Sequence, residues 1–306
     1  MPISPKRRWL TCLTYYLIRK SDYSVYDAFR KGLRLPIPNP DNIPAGSPGQ
    51  GGQYTRNTIP PKLWAPLEFD KGLSAAYKFV EDVKQDLEGI NAIDVAGLTK
   101  LNSRSGENDL IKLFSLLVMH PIEIALSRIK LPESYELNVR CEAPPEEGRA
   151  VRVDMLLEVL GPEGPRTLAV LEMKNFGVVK DEMGGIMAAK VSSVQEAQSV
   201  APSSSVRFQD DSVFLVRQCA AYATRFETRH IALCDGSVAI FMDFTQLPEA
   251  LRKARMNDPE SPGGFAGDIV LLHTQTDPSN FHYALLAFFK GAVDEWLQTL
   301  EGVGRP

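Results

Sequence analysis

Two strand-length apolar runs, separated by a single turn, place the strongest constraint on how this chain folds. Residues 149–160 (RAVRVDMLLEVL) alternate in polarity, whereas residues 167–175 (TLAVLEMKN) are apolar almost throughout. Alternation with a period of two is typical of a β-strand, and a nearly continuous apolar run indicates a strand covered on both faces. The intervening GPEGP, at 161–165, is rich in turn residues. The sequence therefore predicts an antiparallel hairpin inside a sheet.

The segments on either side of this hairpin carry both helical and strand patterns. The predicted helices cover 72–90, 107–129, 211–228 and 278–300, and the further strands lie within 135–143 and 230–244. Pro121 is expected to kink or divide the second of these helices. The Asp235–Gly236 dipeptide predicts a tight turn between the last two strands. This order predicts an α/β fold in which helices pack on a sheet, with the polar segment 180–208 as an excursion from the core.

The N-terminal part of the chain has a different character. Residues 8–33 have apolar side chains at helical spacing, and residues 34–66 are dense in proline and glycine. We expect the latter segment to be an arm with little regular structure, although Ile59, Leu63 and Trp64 suggest that its end docks. The predicted organisation is thus an N-terminal helix and arm over 1–70, then one domain over 71–306 with its core at about 100–245.

Composition excludes some classes of protein. The 306 residues carry a net charge of −4, whereas proteins that coat nucleic acid are basic overall. An enzyme that holds a cation and meets nucleic acid through one local basic face is still allowed. The four cysteines form no CxxC pair, which favours reduced thiols in an intracellular protein, nuclear or cytoplasmic. No stretch is long and apolar enough to predict a membrane span.

Three polar residues interrupt the two hairpin strands. Asp154 lies in the first strand, and Glu172 and Lys174 lie in the second, on one face because strand side chains alternate. Charged groups inside a buried strand are costly unless they are compensated. Two converging carboxylates suit a hard divalent cation, and a nearby lysine can orient or deprotonate a water molecule. A metal ion and an activated water are what the hydrolysis of a phosphodiester requires. The alternative is a structural ion pair between Lys174 and one of the carboxylates.

The pattern VRVD, ending at Asp154, followed by LEMK, from Leu171 to Lys174, resembles the PD-(D/E)XK nuclease superfamily, which includes the restriction endonuclease-like folds. The likeness is greatest to the PD-(D/E)XK domains of uncharacterised fungal proteins. That superfamily has a core of a helix, three strands, a helix and a further strand, and the order predicted above is similar. Val153 stands where the name of the superfamily has proline.

The resemblance implies roles for individual residues. Asp154, Glu172 and the backbone carbonyl of Met173 would hold Mg²⁺ or Mn²⁺, and Lys174 would activate water. A glutamate on the first core helix often supports the metal site, and Glu107 is the first candidate, with Glu123 as the alternative. A QxxxY motif often follows on the next helix, and Gln218 and Tyr222 match it.

The resulting expectation is a metal-dependent nuclease that hydrolyses DNA or RNA. Arg217 and Arg225 flank the QxxxY motif and, together with Tyr222, are the candidate substrate contacts. The alternative is a non-catalytic module that binds nucleic acid or protein on the same fold.

Overall fold

A computed structural model describes residues 23–32, 53–92, 107–143, 153–175, 177–179, 195–196, 210–257 and 264–303. The strands in these ranges are β1 (Leu63–Pro66), β2 (Glu136–Ala143), β3 (Val153–Gly161), β4 (Gly164–Met173), β5 (His230–Cys234), β6 (Ala239–Asp243) and β7 (Ile269–Gln275). The α-helices are α1 (Val25–Lys31), α2 (Gln53–Asn57), α3 (Asp70–Asp82), α4 (Lys84–Glu88), α5 (Glu107–Phe114), α6 (His120–Leu126), α7 (Asp210–Phe226), α8 (Leu247–Asn257) and α9 (Phe281–Val303).

The strands form one mixed sheet in the order β1-β7-β6-β5-β4-β3-β2. β4 pairs with β5 in parallel, as β1 does with β7, and the other neighbours are antiparallel. The predicted hairpin is confirmed: β3 and β4 pair from Met155–Leu171 to Gly161–Gly164, so the turn shortens to two residues. Gly164 has φ +96°, a conformation that glycine adopts without a Cβ clash. The predicted α/β class is therefore confirmed.

Helices cover both faces of the sheet. On one face, Met155 and Leu171 pack in the larger core with α1, α3, α5, α6 and α9. On the other face, Leu156 and Val170 pack in a second core with α7 and the start of α8. This two-sided burial explains why the end of β4 is apolar almost throughout. None of the described helices is long and apolar enough to cross a membrane.

The N-terminal helix predicted over 8–33 is wrong as a continuous element. α1 begins at Val25, and Ser24 before it is extended, with φ −84° and ψ 167°. The Ser24 hydroxyl accepts the Asp27 N–H while the Asp27 carboxylate accepts the Ser24 N–H, a capping box that starts a helix at this residue. Residues 8–22 lie outside the described ranges.

The end of the proline- and glycine-rich arm has more regular structure than its composition indicates. Its described part, 53–66, forms α2 and β1, and β1 pairs with β7. The predicted docking of this segment is confirmed. The prediction that it has little regular structure is wrong here, because β7, far along the chain, supplies hydrogen-bond partners for the backbone of β1. Strand β7 and helix α8 were not expected from the sequence, and most of the excursion at 180–208 lies outside the described ranges.

Pro121 divides the second helix, as predicted. α5 continues into a π-helical turn at Ser115–Met119, and α6 then carries Pro121 in its first turn. Because proline has no N–H, the Leu117 carbonyl four residues earlier lacks the donor that a regular α-helix provides. His282 Nε2 lies 3.2 Å from this oxygen and therefore donates to it. His282 Nδ1 is buried without a hydrogen-bond partner among the described residues.

This arrangement predicts a pH-dependent contribution to stability. Burial lowers the pKa of His282 from 6.5 to about 4, because a second N–H would have no acceptor. The unfolded chain binds the proton more readily than the folded protein. The contribution of His282 to the free energy of unfolding is therefore fully present above pH 6.5 and is lost as the pH drops towards 4, by roughly 3 kcal/mol. In His282→Gln, the amide N–H replaces the donor but does not titrate. Urea denaturation from pH 4 to 7 should show a smaller loss in this variant, and equal losses would contradict the assignment.

Candidate active site

The carboxylates of Asp154 and Glu172 meet where β3 begins and β4 ends. Met155 pairs with Leu171 in the antiparallel ladder, so the next position outward places Asp154 opposite Glu172. Only 7% of Asp154 and 5% of Glu172 is exposed. Both lie on the α7 side of the sheet, since Leu156 and Val170, two residues away on each strand, pack in the core beneath α7. The hairpin therefore brings together the two carboxylates that the sequence singled out.

The two oxygens of Glu172 have different surroundings. Lys174 Nζ donates to Glu172 Oε1 at 2.6 Å, and Gln218 Nε2 donates to the same oxygen at 2.9 Å. Glu172 Oε2 is buried and has no hydrogen-bond partner among the described residues. Leaving a buried carboxylate oxygen unpaired is unfavourable. An oxygen-seeking cation beside Oε2 would satisfy it, so these residues fit a divalent metal.

The pKa of Glu172 also reflects its incomplete pairing. Burial raises the pKa of Glu172 from 4.5 to about 7; Lys174 opposes this shift, and the neighbouring charge of Asp154 adds to it. Burial and the charge of Asp154 thus outweigh the effect of Lys174 on Glu172. Two neighbouring carboxylates that disfavour each other's charge form an environment that a bound cation would stabilise.

Asp154 is held by the backbone of the facing strand. The Met173 N–H donates to Asp154 Oδ2 at 2.8 Å. This bond crosses from β4 to β3 and fixes the carboxylate beside Glu172. The proposed use of the Met173 carbonyl as a ligand stays a prediction.

The QxxxY motif lies directly behind the carboxylates. Gln218 and Tyr222 are one turn apart on α7, and Gln218 Nε2 reaches the Tyr222 hydroxyl at 2.5 Å as well as Glu172. Tyr222 is 2% exposed, and burial, followed by the charge of Glu172, raises its pKa. The motif therefore positions Glu172 from behind. The buried Tyr222 ring fits this supporting role and is not placed to contact a substrate directly.

Other residues named from the sequence are placed less centrally. Arg217 lies over the Phe214 ring at 5.7 Å, and Arg225 lies over the Tyr54 ring at 5.9 Å, so both guanidinium groups rest on aromatic faces. Glu107 is the first residue of α5, and its side chain lies outside the described part. Glu123 lies on α6, which packs on the opposite face of the sheet, and burial raises its pKa to about 7.

Asp235 is a positioning residue that sequence reasoning treated only as a turn former. Its fully buried carboxylate accepts from Ser237 and Val238 through Oδ1, and from the Gly177 and Val179 N–H groups through Oδ2. The Lys174 N–H also donates to the Cys234 carbonyl at 2.7 Å. The segment that follows Lys174 is therefore fastened to the β5–β6 turn. An aspartate directly after a buried strand was the available signal.

The ligand set within the described residues is small. Among them, no group of three or more histidine, cysteine, aspartate and glutamate side chains converges to hold a metal. Asp154 and Glu172 form a pair, so further ligands would have to be backbone oxygens, waters or side chains outside the described ranges. Mg²⁺ sites in proteins often have this composition, with one or two carboxylates and several waters.

No family model matches the chain, and comparison with curated proteins and with solved structures gives no match.

The anchoring role of Asp235 predicts a large effect of a small substitution. Asp235→Asn replaces one accepting oxygen by an NH₂ group that cannot accept, which leaves at least two donors unpaired and should cost about 2–3 kcal/mol of unfolding free energy. Asp277→Asn is the matched control, because Asp277 also accepts from a backbone N–H and a serine hydroxyl, but at the surface. Urea denaturation should show a much smaller loss for the control. Similar losses in both variants would refute the anchor.

Proposed function

We propose that this protein is a metal-dependent phosphodiesterase that cleaves DNA or RNA through a site built on Asp154, Glu172 and Lys174. The observation that carries the proposal is the buried Oε2 of Glu172, which has no hydrogen-bond partner among the described residues and lies in a strand beside a second buried carboxylate. A purely structural ion pair would have no need for the second carboxylate, because Asp154 raises the pKa of Glu172 and so weakens the pair. A bound cation gives both carboxylates a function.

The arrangement of the surrounding elements supports a restriction endonuclease-like core. Along the chain, the helical segment α5–α6 is followed by β2, β3 and β4, then by α7 and β5, with β4 and β5 parallel. This order is the one expected for the PD-(D/E)XK superfamily. Asp154 is on the second of the three strands, Glu172 and Lys174 follow on or just after the third, and Gln218 is on the helix after them.

The metal would be Mg²⁺ or Mn²⁺, held by Asp154, Glu172 and the Met173 carbonyl. Such an ion polarises a phosphate oxygen and stabilises the negative charge that develops during hydrolysis. Both carboxylates are already held in place, because the Met173 N–H donates to Asp154 and Gln218 donates to Glu172. This rigidity is typical of preorganised sites.

Lys174 supplies positive charge close to the carboxylates. Its ammonium donates to Glu172 Oε1, and its side chain is 12% exposed, so one side borders solvent. An ammonium in this position attracts a phosphate and orients the water that attacks phosphorus. Lys174 and Gln218 both donate to Oε1, which leaves Oε2 as the oxygen available to a cation.

Cleavage assays test the activity directly. Labelled single- and double-stranded DNA and RNA should be cut in the presence of Mg²⁺ or Mn²⁺ but not of chelator. Asp154→Asn keeps an oxygen to accept the Met173 N–H, so it should preserve the fold while lowering the rate about 100-fold or more. Lys174→Ala should also reduce cleavage strongly. If a folded wild-type protein binds these substrates without cutting any, the same surface belongs to a non-catalytic binding module.

Metal binding gives a second readout that is independent of activity. Titration calorimetry with Mn²⁺ should detect a site in the wild type, and Glu172→Gln should weaken it at least ten-fold by removing a charged ligand. Glu158→Gln is the matched control, because Glu158 is equally buried on β3 but its carboxylate pairs with Arg140 at 3.4 Å. Unchanged affinity in Glu172→Gln, or equal losses in both variants, would reject the metal site.

A further inference from the structure

One side of α7 carries a row of side chains that leads to Glu172. Phe214, Gln218, Ala221 and Arg225 are spaced by four, three and four residues, and this spacing aligns them along one side of a helix. Gln218 contacts Glu172, so its neighbours in the row flank the proposed site. Phe214 lies one turn towards the N-terminus of the helix, where side chains are about 5–6 Å apart at Cβ.

The two halves of this row differ in exposure. At the C-terminal half, the Tyr54 ring of α2 lies against Arg225 and its hydroxyl bonds to Thr224, while Ala221 is fully buried. At the N-terminal half, Phe214 is 41% exposed, one of three large apolar side chains with such exposure among the described residues. Helix α2 therefore covers one half of the row and leaves Phe214 open to solvent.

Arg217 adds a positive charge to the open half. Its guanidinium lies 5.7 Å from the centre of the Phe214 ring, so the two side chains order each other. Arg217 Nε is buried and has no hydrogen-bond partner among the described residues; Arg225 Nε shares this property, but Arg225 lies in the half that α2 covers. A buried, unpaired donor on a charged group favours an acceptor such as a phosphate oxygen. The exposed Phe214 ring and an arginine whose Nε lacks an acceptor among the described residues thus lie together, beside Gln218.

We infer that Phe214 and Arg217 bind an unpaired nucleobase and its adjacent phosphate, so that the substrate is a single strand, or a strand with an unpaired base, at the point of cleavage. This inference rests on the proposed function, because it places the strand at Glu172. In a duplex, both faces of a base are stacked on its neighbours, and a protein ring stacks on it only once it is unstacked. The net charge of −4 limits the electrostatic part of binding, which makes a stacking contact more important.

An abasic scan tests this contact. All proteins carry Asp154→Asn so that the strand stays intact, and the probes are labelled 12-mers of single-stranded DNA and of RNA, with matched duplexes. Phe214→Ala should weaken single-strand binding about ten-fold and change duplex binding less than two-fold, and Phe214→Trp should restore the single-strand affinity. Leu160→Ala is the matched control, because Leu160 is also an exposed apolar residue (37%) but lies at the turn end of β3, away from Asp154.

The scan also locates the contact. One abasic position should weaken binding to the protein with Phe214 intact and have no further effect in Phe214→Ala, because both changes remove the same stack. Equal losses for single strand and duplex, or no loss in Phe214→Ala, would overturn the inference even if the wild type cleaves nucleic acid. A specific single-strand loss without any cleavage by the wild type would support the contact and reject the nuclease activity. Tighter binding of either the DNA or the RNA probe would show which nucleic acid supplies the base.

Discussion

A carboxylate inside a central strand needs compensation, and among the described residues the compensation of Glu172 is incomplete. Lys174 and Gln218 both bind Oε1, while Oε2 has no partner among the described residues. Asp154 opposite adds a second negative charge and helps to raise the pKa of Glu172. Selection for stability alone favours apolar residues at such positions, because buried ion pairs seldom stabilise more than a well-packed core. The incomplete compensation is therefore the strongest physical reason to look for a ligand here.

The rest of the fold determines where these two carboxylates lie. Helices cover the sheet on both faces, so each charged residue within a strand loses water unless it is close to a strand end. Asp154 is the second residue of β3 and Glu172 the second-last of β4, and the antiparallel pairing brings both to the same end of the hairpin. The β5–β6 turn then fastens the segment after Lys174 through Asp235. The position of each site residue thus follows from strand pairing and from one buried anchor.

Much of this was accessible from the sequence because the information was local. The β3–β4 hairpin, the Asp235–Gly236 turn and the division at Pro121 each follow from residues adjacent in the chain. The QxxxY spacing likewise indicated that Gln218 and Tyr222 share one side of a helix, and both reach the site. Contacts between distant segments were inaccessible: nothing near Leu63 reveals that β7 will pair with β1, and nothing near Phe114 reveals that His282 serves the Leu117 carbonyl.

The contact between α2 and α7 shows how such a distant pairing changes the meaning of a residue. From the sequence, Arg217 and Arg225 are equivalent candidates for contacting phosphate, since both flank the QxxxY motif. In the structure, the Tyr54 ring lies against Arg225 and α2 covers that half of the helix, whereas Arg217 rests on the exposed Phe214. Under the proposed function, a nucleic-acid strand that reached Glu172 from the open half of α7 would meet Arg217 and not Arg225. The end of the proline- and glycine-rich arm, which the sequence indicates only as a docking segment, thus determines which of the two arginines lies beside an exposed aromatic ring.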